Sequence, residues 1–181
     1  NRVVTGSGEV VAAANPFTVF IRQRYGFYRT DEVIEPEVSA FTPDGKPVSG
    51  FCRLSLFRRT IGSDGAPARL GSALKCLSFK LDGPDRPRFV VKEPGVYELH
   101  AEVTAQNRTK NETSSVLFVR GEKVPEGLFS ELPLELTSDK GEYRPGDTAS
   151  LLISTREPGA FLYVFKRSSR KAEVEFIQAK G

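Results

Sequence analysis

The sequence predicts an all-β protein: tandem antiparallel sandwiches of the immunoglobulin or fibronectin kind, the second of them truncated. Three observations carry this. Apolar residues recur at period two, clusters of Pro, Gly and Asp interrupt the alternation every roughly 8 to 15 residues, and no stretch carries the three-to-four spacing of a helix. With 39% apolar and 27% charged residues, burial can offset chain entropy and disorder is not expected.

The elements follow in order. Phe17, Val19 and Ile21 face one way, with Thr18 and Arg22 opposite. Ile34, Val38 and Ala40 form the next inward set, with Glu35, Glu37 and Ser39 outside. Thr42 to Pro47 is a turn, since Pro43 presets φ and Gly45 supplies the left-handed position. Strands are expected at Phe51–Phe57, Leu74–Leu81, Arg88–Val91, Val96–Val103 and Ser115–Val119, the sixth with Tyr97, Leu99, Ala101 and Val103 inward. Seven short strands in about 105 residues suit one sandwich. Tyr97 follows the turn Glu93-Pro94-Gly95, so it reads either as a tyrosine corner or as a plain core residue.

Alternation lapses from Gly121 to Gly127, around Pro125. The expected organisation is a sandwich over residues 1–121 with an N-terminal lead-in, a linker at 122–127 and a partial second sandwich at 128–181. Leu132, Leu134 and Leu136 open the second set, followed by Ala149, Leu151 and Ile153, then Phe161, Tyr163 and Phe165, then Val174 and Phe176. Four strands are about half of such a sandwich, so self-association through this incomplete part, or completion by a neighbour, is expected. An internal echo ties the halves together: Tyr28-Arg29-Thr30-Asp31 and Tyr143-Arg144-Pro145-Gly146-Asp147 stand 115 residues apart.

The charge is +3 and scattered. Arg58-Arg59 and the run Lys166 to Lys171 lack interleaved aromatics, so no nucleic-acid partner is expected. No apolar run reaches the ~20 residues of a spanning helix. The chain opens on Asn1 and contains no Met, which reads as a piece of something longer.

Asp139-Lys140, Tyr143, Pro145-Gly146-Asp147 and Ala149, a strand, Pro158-Gly159-Ala160 and a second apolar strand together resemble the macroglobulin-like domains of the α2-macroglobulin family, in its bacterial form. Asp44-Gly45-Lys46-Pro47-Val48-Ser49-Gly50 and Glu93 to Tyr97 agree with this. The first domain departs with Thr30-Asp31 where Pro-Gly-Asp is usual. The family's thioester pair, a Cys and a Gln, is missing, because neither Cys52 nor Cys76 has a Gln nearby. The resemblance implies a scaffold fragment of a protease-trapping inhibitor, without thioester or bait segment. Its partners would be neighbouring domains of the parent and, through the parent, proteases, in an extracellular or periplasmic setting. A secreted adhesin or cell-surface stalk is the rival reading, and an accessory domain of a secreted enzyme a third.

No catalytic, cofactor or metal site is expected. His100 lies between Glu98 and Glu102 on one strand face. That stripe could touch a metal, but closing a site needs further ligands, and a solvated face is the simpler reading. A hairpin centred on Asp64 sets Cys52 opposite Cys76 as a candidate disulfide, although side-chain parity puts Cys52 inward and Cys76 outward. Asn107-Arg108-Thr109 and Asn111-Glu112-Thr113 are glycosylation acceptors in a eukaryotic setting, or polar turn residues.

Overall fold

The computed structural model describes residues 13–61, 67–121, 134–155, 159–167 and 171–178. The expected linker at 122–127 and Leu132 lie outside them. Thirteen strands run through the described residues, with no helix: β1 (Thr18–Arg22), β2 (Phe27–Arg29), β3 (Val33–Ile34), β4 (Glu37–Phe41), β5 (Ser49–Ile61), β6 (Pro67–Asp82), β7 (Phe89–Val90), β8 (Gly95–Ala105), β9 (Lys110–Arg120), β10 (Leu134–Ser138), β11 (Leu151–Thr155), β12 (Phe161–Arg167) and β13 (Ala172–Gln178).

The first nine strands enclose one core. A five-stranded sheet, ordered β2-β9-β8-β5-β6, forms one wall, and the pairs β1-β4 and β3-β7 form the other. Alternation sets the inward residues. Leu54 and Leu56 of β5, Tyr97, Leu99, Ala101 and Val103 of β8, and Leu117 and Val119 of β9 meet Phe17, Val19, Ile34, Val38 and Ala40 across the gap. Tyr97 donates its hydroxyl hydrogen to the Glu93 carbonyl at 2.8 Å, so it is both a core residue and a corner clamp.

Several expectations change. The run from Ile34 to Ala40 is two strands in two different pairs, β3 with β7 and β4 with β1. Pro36 stands between them, and a residue without an N–H cannot carry a ladder through. Ser39, expected outside, is buried. β2 escapes the alternation rule because it is three residues long and pairs in parallel with β9, Phe27 opposite Phe118.

The candidate disulfide is absent, and a bulge supplies the reason. From Arg58↔Leu70 to Ile61↔Pro67 the β5-β6 hairpin is centred on position 64, as expected. Between Leu56 and Arg58 the register then shifts, with Leu56 opposite Lys75. That displacement of three residues reverses the facing, since side chains alternate at period two. Cys52 therefore lies opposite Phe79 and is buried, while Cys76 lies opposite Ser55 and is exposed; both thiols are free.

The last four strands form two separate two-stranded antiparallel sheets, β10-β11 and β12-β13. They carry the repeat further than the shared Tyr-Arg pair suggested. Shifting by 115 residues turns the β1-β4 pairs Val19↔Ala40 and Ile21↔Val38 into the β10-β11 pairs Leu134↔Thr155 and Leu136↔Ile153. The following turns share three hydrogen bonds. The Arg29 N–H donates to Glu32 Oε2 at 2.8 Å, and the Arg144 N–H to Asp147 Oδ2 at 3.0 Å. The N–H of Glu32 returns to the Arg29 carbonyl, and that of Asp147 to the Arg144 carbonyl. The Tyr25 and Lys140 N–H groups donate to the hydroxyls of Tyr28 and Tyr143. Glu32, not Asp31, thus matches Asp147. Asp31 takes the left-handed place of Gly146, with φ 63° against 94°.

Candidate functional site

The polar side chains with chemical potential gather on the outer face of the five-stranded sheet. β8 and β9 pair His100 with Ser114 and Glu102 with Glu112. His100 Nδ1 stands 3.1 Å from Ser114 Oγ, and its Nε2 is 3.5 Å from Glu112 Oε2. This serine–imidazole–carboxylate array was not legible in the sequence, because it depends on register between strands.

Its hydrogen bonds run against nucleophilic use. Ser114 donates its hydroxyl hydrogen to Glu98 Oε1 at 2.8 Å, so the bond from His100 Nδ1 must be donated to Ser114 rather than accepted from it. A general base needs the reverse. Glu98 also receives Arg69 Nη2 at 2.6 Å and Nε at 3.1 Å. Partial burial pushes the Glu98 carboxyl up, but the Arg69 and Ser114 hydrogen bonds outweigh it and hold the group below its usual range. Arg69 stacks over Phe57, 4.3 Å from its centroid, and Phe57 meets His100 edge-on. No group of three His, Cys, Asp or Glu among the described residues could hold a metal ion. Glu98, His100 and Glu102 share the outer face of β8 as expected, and His100 turns to Ser114 and Glu112 of β9.

The two thiols are opposites. Burial pushes Cys52 up to about 12, with Asp85 adding to it. Cys76 is lowered by its Ser55 hydrogen bond and then by Arg53, whose Nη2 lies 3.9 Å from the sulfur. The two sequon asparagines also differ. Asn107 sits in the exposed turn, its Oδ1 accepting from the Thr109 N–H and hydroxyl. Asn111 is on β9, not in the turn, and spends Nδ2 on the Phe17 carbonyl at 2.5 Å.

Two clefts flank the segment after β1. One, of about 310 Å³, is lined by Arg22, Gln23, Arg24, Glu35, Glu37 and Arg86, but Arg86 and Glu37 neutralise each other at 2.7 Å. The second, of about 410 Å³, lies where the two repeats touch. There Tyr25 bridges Lys140, its own counterpart 115 residues on, and the Gly26 N–H donates to the Asp139 carbonyl at 3.2 Å. A Cβ on Gly26 would come within 2.2 Å of the Ser138 carbonyl oxygen, so only glycine admits this approach.

The remaining feature is the openness of β10–β13. Leu134 and Leu136 are 57% and 62% exposed, whereas Val19, the counterpart of Leu134, is 3% exposed. On β12 and β13 the face bearing Phe161, Tyr163, Phe165, Val174 and Phe176 is exposed throughout. The opposite face carries the Lys166–Glu175 ion pair.

No protein-family model matches the chain, and no curated protein matches it. Among solved structures, the sporulation control protein Spo0M of Bacillus subtilis is similar at 12% identity and a TM-score of 0.40, over 91% of this chain and 80% of that one. The α2-macroglobulin of E. coli, in its native conformation, is similar at 17% identity and a TM-score of 0.42; the match covers 92% of this chain and 12% of that much longer protein.

Proposed function

We propose that the chain is a non-enzymatic structural module of a secreted or periplasmic protein of the α2-macroglobulin type, a scaffold that stacks against neighbouring domains and holds neither thioester nor bait segment. The observation that carries this is the contrast within the chain. The first nine strands close on a filled core, and the polar groups on their surface spend their hydrogen bonds on one another. The next four strands repeat the start of that design with their apolar faces open. A module whose second half offers its core outward is suited to assembly rather than to turnover. The sequence pattern from Asp139 to Phe165, which resembles that family's domains, supports this reading. A tandem sandwich from an adhesin or cell-surface stalk shares these features and is separated by the behaviour of the parent protein.

The test is incubation of the chain with a panel of endoproteases. The expected outcome is no covalent adduct after denaturation and no inhibition at equimolar ratio. A stable adduct would contradict the scaffold reading. If the parent lacks a thioester motif and carries a wall anchor instead, the stalk reading replaces it.

A further inference from the structure

We propose that the cleft between the two repeats binds an extended acidic segment of polypeptide, its carboxylates against Arg24 and Lys140 and an apolar side chain on Leu136. The proposal rests on the scaffold reading and deepens it, by naming what one surface of the scaffold recognises.

Backbone contacts fix the walls of this cleft. Tyr25 and Lys140 form an antiparallel bridge, and the Gly26 N–H donates to the Asp139 carbonyl. Gly26 allows this because it has no Cβ to meet the Ser138 carbonyl oxygen. The space of about 410 Å³ beside the bridge thus lies between two elements already in contact, and a ligand entering it would not have to bring them together.

The charge of the cleft is one-sided. Arg24 and Lys140 line it, and among the described residues no Asp or Glu does. The Arg24 guanidinium lies 5.2 Å from the centroid of the Tyr25 ring, and Lys140 Nζ lies 5.8 Å from that of Tyr143. Neither cation has an acidic partner within ion-pair distance among the described residues. Asp139, beside Lys140 in the chain, turns its Oδ1 to the Tyr143 hydroxyl and the Ser150 N–H. In the adjoining cleft Glu37 is taken by Arg86 and Glu35 by Arg88. That leaves Arg22 as a third cation without an acidic partner among the described residues.

Gln23 supplies a second observation, independent of charge. It lines both clefts, and its Nε2 donates to Ser115 Oγ at 2.8 Å and to the Val116 carbonyl at 2.6 Å. Turning the amide over would set Oε1 against the Val116 carbonyl, acceptor against acceptor, so the orientation is fixed. Oε1 is buried and has no hydrogen-bond partner. A buried acceptor left in this way calls for a donor.

These groups define the ligand. The cations call for carboxylates, Gln23 Oε1 for an N–H, and Leu136, 62% exposed, for an apolar side chain. An extended polypeptide carries an N–H at each residue and side chains on alternate faces, and a cleft can touch both faces. A small dicarboxylate brings the charge and no donor. The tyrosine rings beside the cleft are taken by its own cations and give no stacking platform, which favours a polypeptide over a nucleic-acid strand.

The probe is the acetylated and amidated peptide Glu-Leu-Glu-Leu-Glu, titrated into the full chain by calorimetry and by amide NMR shifts. The expected result is saturable one-to-one binding with shifts at 23–26 and 136–141. Raising salt from about 0.02 M to about 0.2 M should weaken it about threefold or more. Arg24→Gln and Lys140→Gln should each weaken it by about threefold or more, while Lys80→Gln, on the edge strand β6, should leave it unchanged. Absence of binding at low salt would overturn the proposal, as would shifts confined to other surfaces. Equal binding by the peptide with glutamine for glutamate, or by glutarate, would overturn it too, since neither combines carboxylates with a peptide backbone. All of these results leave the protease test of the scaffold reading untouched.

Discussion

The two repeats are a controlled comparison inside one chain. Residues 18–41 and 134–155 share strand register, turn hydrogen bonds and the left-handed residue after the Tyr-Arg pair. They differ in what lies over them. Val19 is covered by β8 and β9, and Leu134 faces outward. Local structure therefore survives without the core, and burial is the variable. Local hydrogen bonding and turn geometry specify the shape of the β1-β4 unit, while tertiary cover decides whether its apolar residues contribute stability.

Mutation at matched positions breaks the comparison most strongly. Val19→Asp places an unpaired charge in a closed core and should unfold the first repeat, with a loss of more than about 4 kcal/mol. Leu134→Asp should leave the chain's unfolding midpoint within about 0.5 kcal/mol. Denaturant titration by circular dichroism checks both. Equal losses would mean that Leu134 is buried in solution.

Alkaline titration comes next. The Cys52 thiol is raised to about 12 in the folded state, so the unfolded chain ionises first. The stability tied to it is fully present below about pH 8.5 and is lost as pH rises towards 12, by up to about 1.4 kcal/mol per pH unit. Tyr28 and Tyr97, also raised by burial, add to the loss above their usual range. Cys52→Ala should flatten the slope between pH 9 and 10, while Cys76→Ala should act in the opposite sense, because the Cys76 thiol is lowered in the folded state. A disulfide reagent should modify Cys76 in the native chain and Cys52 only on unfolding.

Smaller effects sharpen the picture. Tyr97→Phe removes the hydroxyl bond to the Glu93 carbonyl and should cost about 1 kcal/mol. Gly26→Ala should separate the repeats at Tyr25 and Lys140, raising exchange at the Gly26 amide without altering the first core. The smallest effect tests the alignment of the turns: Asp31→Gly should stabilise by up to about 1 kcal/mol, because Asp31 occupies the position that Gly146 fills in the other copy.

Much of this was legible in the residues. Alternation over Val96 to Val103 predicted the inward set of β8, and the 115-residue echo pointed to the repeat. What was not legible depends on pairing between distant segments. The β5-β6 bulge moves Cys76 away from Cys52 through extra residues that no periodicity marks. β2 is too short to show a period and exists through β9. The Ser114–His100–Glu112 array needs the β8-β9 register, which places residues 14 positions apart side by side. The proline turn disguised the repeat, since Thr30-Asp31-Glu32 and Pro145-Gly146-Asp147 share bonds rather than residue types.

The most direct test of the account is site-resolved amide exchange on the unmodified chain, comparing 18–22 and 37–41 with 134–138 and 151–155. A closed first repeat and an open copy predict that the first pair of strands exchanges only through global unfolding, while the second exchanges through local opening at rates at least about a hundredfold faster. Equal protection of the two pairs, in a chain that remains monomeric, would contradict it.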